Sequence, residues 1–244
     1  MDRYGVLGWP VAHSRSPAMF AAIGVAYQLL PVPPALFAET TRALPGAGFG
    51  GANVTIPHKR AALALADAPS ERARAIGAAN TLIFRAGADG VEIAADNTDA
   101  PGLIAALGEP LAGRTALVLG AGGSARAAVW ALADAGAAEV RVWNRTPERA
   151  EELAAELGAT AARDAAPADV LVNCTSAGLG DPAATFDELP LAPDDLGAFA
   201  TVADLVYRPE GTALLREAAA RGARTVDGIE VLVRQGALSH ELWT

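Results

Sequence analysis

Residues 115–125 read Thr115-Ala116-Leu117-Val118-Leu119-Gly120-Ala121-Gly122-Gly123-Ser124-Ala125, and this stretch decides the fold. Four apolar residues, 116–119, predict a buried strand. A glycine-rich turn follows and opens an Ala-rich helix over residues 122–135. The turn fits G-x-G-x-x-A in the setting that gives the pattern meaning, after a strand and before a helix. Its glycines let backbone N–H groups and the helix N-terminus approach a pyrophosphate, because no Cβ intrudes and the helix dipole favours negative charge. A strand–helix turn that binds nothing is the plain alternative.

Toward the C-terminus the alternation continues with a strand at 139–143, a helix at 146–157, and strands at 169–173 and 201–205. Thr146-Pro147 suit an N-cap and a first helical position, and Gly158 suits the stop. This is a βαβ series with parallel-sheet character. Toward the N-terminus, apolar runs at 4–8, 27–32, 52–56 and 81–84 read as strands, with helices at 16–23 and 57–65, the second starting on Pro57. The expected class is α/β throughout. A boundary is expected near 99–108, where a helix carrying Leu103, Ile104 and Leu107 runs into a Gly-flanked loop, and another at Asp227-Gly228, where the last helix begins.

Composition removes several classes of function. Hydrophobic residues make up 52% of the 244, yet no apolar run approaches the roughly 20 residues of a membrane span. Met1-Asp2-Arg3-Tyr4 carries no leader pattern, so a cytoplasmic location is expected. A formal charge of −9 argues against a nucleic-acid partner. Cys174 is the sole cysteine and three histidines are scattered, so no metal site is expected. Among 19 Lys and Arg residues, Lys59 is the only lysine, and asparagine occurs only at 53, 80, 97, 144 and 173. Arg cannot release a proton near neutral pH whereas Lys can, and Asn offers donor and acceptor together, so these rare residues are candidates for chemistry.

About 20 residues past the glycines, where an NAD site usually carries Asp or Glu, the chain has Asn144-Arg145-Thr146, with Arg149 one turn on. A guanidinium pairs with a ribose 2′-phosphate that a carboxylate would repel, so NADP is expected over NAD. The alternative is that both arginines are solvated charges at a helix start. In the N-terminal half, His13-Ser14-Arg15-Ser16-Pro17 presents two hydroxyls at a helix start, equally suited to a carboxylate ligand or to capping. Asn53-Val54-Thr55-Ile56-Pro57-His58-Lys59, Asn80-Thr81 and Asn97-Thr98-Asp99 add polar residues at strand ends.

In chain order these segments, with Gly77-Ala78-Ala79 before Asn80, Asn173-Cys174-Thr175-Ser176-Ala177-Gly178 and Asp204-Leu205-Val206-Tyr207-Arg208-Pro209, make the chain resemble the shikimate dehydrogenase family over nearly its whole length. The resemblance implies two α/β domains around a cleft: residues 1–99 binding substrate, residues 100–227 a Rossmann-like NADP domain, and residues 228–244 a helix returning to the first. It implies NADPH-dependent, reversible reduction of 3-dehydroshikimate to shikimate, in the pathway to aromatic amino acids, by a monomer or homodimer. Lys59 and Asp99 would be the catalytic pair. Ser14 and Ser16 would hold the substrate carboxylate; Thr55, Asn80, Asp99 and Gln235 its hydroxyls; and Tyr207 would reach it from the cofactor side. Gly120, Gly122, Gly123, Ser124 and Ala125 would lie under the cofactor, Asn144, Arg145, Thr146 and Arg149 near its 2′-phosphate, and Thr175, Val206 and Gly228 near its nicotinamide.

Three departures from the family pattern stand out. Phe20 occupies a position where a His is expected, Val231 one where a Met is common, and both read as packing changes. The chain ends at Trp243-Thr244, where members commonly continue through a short helix. Two rival functions remain at this point: a quinate/shikimate dehydrogenase of broader specificity, using NAD, and a non-catalytic NADP-binding sensor. Arg145 speaks against the first, and the retained Lys59 and Asp99 against the second.

Overall fold

The structure is a computed structural model that describes residues 3–87 and 90–244; Met1-Asp2, read above for a leader, lie outside them. The chain divides into two compact units, Met1–Asp99 with Gln235–Thr244, and Ala100–Arg234. The second division falls inside the last helix, between Arg234 and Gln235, and not at Asp227-Gly228.

The first unit holds a six-stranded mixed sheet in the order β2-β1-β3-β5-β6-β4. Its strands are β1 Tyr4–Gly8, β2 Tyr27–Pro31, β3 Gly51–Val54, β4 Ala68–Pro69, β5 Thr81–Gly87 and β6 Gly90–Asp96. β5 runs antiparallel to β3 and β6, and the remaining pairs are parallel. Leu7, Phe37, Ala52, Val54, Leu82 and Ile93 form its core. The helices here are short: α1 Ser16–Ala21, α2 Phe37–Ala43, α3 Lys59–Leu65 and α4 Glu71–Ile76. The end of the last helix belongs to this unit. Trp243 stacks on Tyr4 at 4.5 Å between ring centroids and donates Nε1–H to Leu82 O at 2.9 Å. Gly51 makes room for it, since a Cβ there would sit 2.3 Å from the indole nitrogen.

One expectation fails here. Pro57 does not open α3. His58 N–H bonds Thr55 O at 2.9 Å, closing a turn that contains Pro57, and Lys59 is the first helical residue. The helix start is set by this turn and not by proline's preference for a first helical position.

The second unit holds α5 Asp99–Leu107 from Ala100 onward and a fully parallel sheet of β7 Thr115–Leu119, β8 Glu139–Trp143, β9 Thr160–Ala161, β10 Val170–Asn173, β11 Thr201–Asp204 and β12 Arg224–Asp227. The order β12-β11-β10-β7-β8-β9 is the doubly wound nucleotide-binding topology, with its reversal point between β7 and β10. Alternation along β7 explains why helices cover both faces. Ala116 and Val118 pack with Leu132 of α6 Gly123–Asp134 and Leu153 of α7 Pro147–Leu157, whereas Leu117 and Leu119 pack with Leu214 of α8 Ala213–Ala220. Each fully buried leucine contributes about 1.5–3 kcal/mol through burial. α9, Gly228–Trp243, ends the chain, and Val231 on its first half packs into this core. Among the described residues no helix is long and apolar enough to cross a membrane.

Candidate active site

At the C-terminal end of β3 the chain is pinned before it turns into α3. The His58 ring stacks on Phe37 at 4.5 Å, and its Nε2 lies 2.7 Å from Val32 O. Burial lowers the His58 pKa against the pull of that carbonyl, so the imidazole is neutral and Nε2–H donates. Lys59, the next residue, is only 7% exposed, which is not the solvated helix charge that the bland reading of the sequence would give. Its Nζ lies 2.6 Å from Asp99 Oδ2. An ion pair this sheltered is a poor source of stability, because desolvation offsets much of its attraction. Its value is the fixed position of one amine and one carboxylate.

Asp99 is held in turn. Asn80 Nδ2 donates to Asp99 Oδ1 at 2.8 Å, to Thr98 Oγ1 at 2.9 Å and to Gln235 Oε1 at 3.1 Å, while Asn80 Oδ1 accepts the Thr98 N–H at 2.7 Å. Behind this row lies a buried layer of hydroxyls: Thr81 Oγ1 is 3.1 Å from Thr98 Oγ1 and 2.9 Å from Ser239 Oγ. Asn53 Nδ2 donates to Ser239 Oγ at 2.9 Å. Ser14 donates to Ser16 Oγ at 3.2 Å and its oxygen accepts the Ser16 N–H at 3.3 Å, while Arg15 stands at the N-cap position of α1 without a side-chain capping bond. Thr55 is partly exposed in the turn after β3.

Of the expected substrate residues, Lys59, Asp99, Asn80 and Gln235 thus form one cluster, and Ser14 and Ser16 form a second group in the same unit. Tyr207 lies in the other unit. Three side chains were given no role from sequence. Ser239 carried a usable signal, four residues after Gln235 and so on one helix face with it. Thr98 sat inside a quoted motif. Tyr27 gave none, because a tyrosine in an apolar strand reads as core.

In the second unit a cleft at the reversal point gathers Gly120, Gly122, Asn144, Arg145, Thr146, Arg149 and Thr175, together with Ala121, Cys174, Ser176 and Ala177, which lay in quoted motifs without a role, and Trp143 and Glu188, which the sequence did not single out. Gly123, Ser124, Ala125, Val206 and Gly228 are not among its walls. Gly120 adopts φ +109°, and a Cβ there would press on Cys174 at 3.2 Å. At Gly122, the N-cap of α6, an added Cβ would meet nothing within 4 Å. It would instead fill open space in front of the helix N-terminus, where a pyrophosphate belongs. Arg145 and Arg149 are exposed at the start of α7 and make no ion pair among the described residues. No carboxylate stands at the end of β8, so the donor set suits a 2′-phosphate.

Beside the cleft, Asn173, Asp204 and Asp227 end three adjacent strands in register. Asn173 Oδ1 accepts the Thr175 N–H at 3.0 Å, and its Nδ2 donates to Asp204 Oδ1 at 2.9 Å, which also accepts the Val206 N–H at 3.1 Å. Asp204 Oδ2 is buried with no hydrogen-bond partner. Burial pushes the Asp204 pKa up to about 6, against the downward pull of Thr212, Val206 and Asn173. Thr212 lowers it from nearby without a well-formed bond to Oδ2, while its hydroxyl oxygen also accepts the Leu215 N–H at 3.3 Å. Gly228 abuts the same segment, where a Cβ would lie 2.7 Å from Leu205 O.

Known proteins share this sequence and fold. A family model described as the shikimate dehydrogenase substrate binding domain matches residues 6–82, and one described as shikimate / quinate 5-dehydrogenase matches residues 103–178. The shikimate dehydrogenase (NADP(+)) of Methylobacterium radiotolerans is 49% identical, over 98% of this chain and 89% of that protein. The crystal structure of shikimate 5-dehydrogenase from Thermus thermophilus in complex with NADP(H) and shikimate superposes with a TM-score of 0.85 at 43% identity, covering 100% of this chain and 94% of that one. A ligand-free 5-ketofructose reductase of Gluconobacter sp. strain CHM43 gives a TM-score of 0.83 at 33% identity, covering 99% and 92%. With both halves matched in order and nearly the whole length aligned, the chain belongs to the shikimate dehydrogenase family.

Proposed function

We propose that this chain is an NADP-dependent shikimate dehydrogenase, reducing the ring ketone of 3-dehydroshikimate to the alcohol and catalysing the reverse. Residues 1–99 and the last helix hold the substrate, and residues 100–227 hold the cofactor. The observation that carries the reading is the sheltered Lys59–Asp99 pair, 2.6 Å apart, inside a cluster of neutral donors and acceptors. When bound, the nicotinamide gives or takes the hydride. Lys59 Nζ–H donates a proton to the carbonyl oxygen during reduction and takes it back during oxidation. Asp99 keeps the amine oriented, and Asn80 keeps Asp99 from turning. Asn80 and Gln235 are placed for ring hydroxyls, and Ser14 with Ser16 for the carboxylate. Arg145 and Arg149 receive the 2′-phosphate, with Gly120 and Gly122 beneath the pyrophosphate.

The carboxylate separates this reading from its neighbours. 5-Ketofructose has none, whereas the paired Ser14 and Ser16 hydroxyls are placed to donate to one. The deciding experiment follows NADPH absorbance on mixing enzyme and NADP+ with shikimate, quinate, or no acid, and NADPH consumption with 5-ketofructose. Turnover with shikimate far above the rest is expected. Equal turnover of quinate, or faster turnover of the ketose, would overturn the assignment.

A further inference from the structure

Tyr27 is the feature of the first unit to which nothing above gives work. Its ring, on edge strand β2, stacks on Phe20 at 4.3 Å, and its hydroxyl end is buried. That hydroxyl donates to Asn53 Oδ1 at 2.8 Å, and its oxygen faces the Ser16 side chain, whose pull on the phenol opposes that of burial. Asn53 has both ends committed, since its amide nitrogen donates to Ser239 Oγ, Thr81 Oγ1 and Asn80 O at 2.9, 3.2 and 3.2 Å. A chain of contacts therefore runs from Ser14 through Ser16 to the Tyr27 phenol, and hydrogen bonds carry it on through Asn53 and Thr81 to Asn80, and from Asn80 to Asp99 and Lys59. Tyr27 is the only member that joins the serine pair to the amide and hydroxyl layer among the bonds described.

We infer that Tyr27 is a positioning residue for the acid substrate: its hydroxyl sets Ser16 against the carboxylate and fixes the Asn53 amide that braces the Lys59–Asp99 cluster. The inference rests on the proposed function and deepens it. Burial raises the Tyr27 pKa well above the ordinary phenol value, so the group keeps its proton, which Asn53 Oδ1 accepts. The phenol oxygen is left to face Ser16 as an acceptor. It holds the serine's rotamer until a carboxylate takes the serine's single proton. Phe20, where the family pattern has a His, supplies an apolar ring under the phenol and no competing acceptor.

The test is Tyr27→Phe in the full chain, which keeps the ring stack and deletes the hydroxyl. Shikimate Kd by calorimetry and KM by NADPH formation should both rise about tenfold, with kcat within a few-fold and KM for NADP+ unchanged. Ser16→Ala should cause a comparable loss, and adding Tyr27→Phe to it should cost less than a further twofold, because the two groups act as one. Losses that multiply in the double variant, or a Tyr27→Phe enzyme within twofold of wild type, would overturn the inference alone. A wild type that neither binds nor oxidises shikimate would overturn the proposed function and the inference together. A second readout needs no substitution at Tyr27. The chain has three tyrosines, and with 3-fluorotyrosine in all of them, the fluorine resonance left in a Tyr4→Phe, Tyr207→Phe protein should shift on adding shikimate. No shift at saturating shikimate rules the role out.

Discussion

Both units gather polar side chains at one end of a sheet, but they treat them oppositely. In the first unit Asn80, Thr81, Thr98 and Ser239 are at most 2% exposed and hydrogen-bonded to one another. In the second, among the described residues, Arg145 and Arg149 at the cofactor cleft stand exposed without an ion pair, and the buried Asp204 keeps one oxygen without a hydrogen-bond partner. A small ring substrate offers few contacts, so its site has to be rigid before the substrate arrives. A dinucleotide brings charge and many donors of its own, so its site can leave cations waiting in water. On the proposed reading, preorganisation is concentrated where proton transfer needs it.

The strongest way to break the comparison is to attack the proton donor. Lys59→Ala should lower kcat about 10²–10⁴-fold with NADP+ affinity intact, as removal of a positioned acid–base group does. Lys59→Arg should be nearly as poor, since a guanidinium cannot give up its proton. An arginine variant with near-normal kcat would remove Lys59 from proton transfer.

Asp204 tests the loosely satisfied side. Its folded pKa of about 6 lies above the ordinary aspartate value of 3.8, so between those pH values the folded chain holds a proton that the unfolded chain has released. Stability should therefore fall as pH rises from about 4 to about 6, by roughly 3 kcal/mol, and stay lowered above that. Denaturant unfolding of wild type and Asp204→Asn across pH 4–7 checks the point. The difference between the two should drift against wild type with rising pH, and a constant difference would show that the carboxylate is not perturbed.

Thr81→Val tests the sealed side. The change is nearly isosteric but strands the partners of a fully buried hydroxyl, so about 1–3 kcal/mol should be lost at any pH between 5 and 8. A neutral result would mean the layer is looser than its distances imply. The smallest effect is expected at the exposed cations. Arg145→Ala should cost roughly tenfold in kcat/KM for NADP+ and nothing for NAD+, within the reach of one charge-assisted bond to phosphate. Equal losses with both cofactors would move Arg145 away from the 2′-phosphate.

The contrast also explains what could be read in advance. β1 and β7 were legible because near-continuous burial makes an apolar run, β8 because buried Val140 and Val142 alternate with more exposed neighbours, and α7 because Thr146, Pro147 and Gly158 punctuate it. β12 was not, since of Arg224-Thr225-Val226-Asp227 only Val226 is buried and pairing with β11 creates the strand. β6 escaped for a related reason: its first half is exposed and carries Glu92, leaving small residues to mark the rest. In the site, Lys59 and the asparagines were visible through their rarity. Tyr27, Ser239 and Asp204 were not, because each acts across strands or helices far apart in the chain.

The solitary lysine has one more consequence. Every other basic side chain of fixed charge is arginine, so this protein's only ε-amine sits in its working cluster, 7% exposed. An acylating or reductively methylating reagent finds no other side-chain amine to modify. The extent of labelling then reports the openness of a single position, and a ¹³C-methylated sample would display one lysine resonance whose shift follows the amine as ligands come and go.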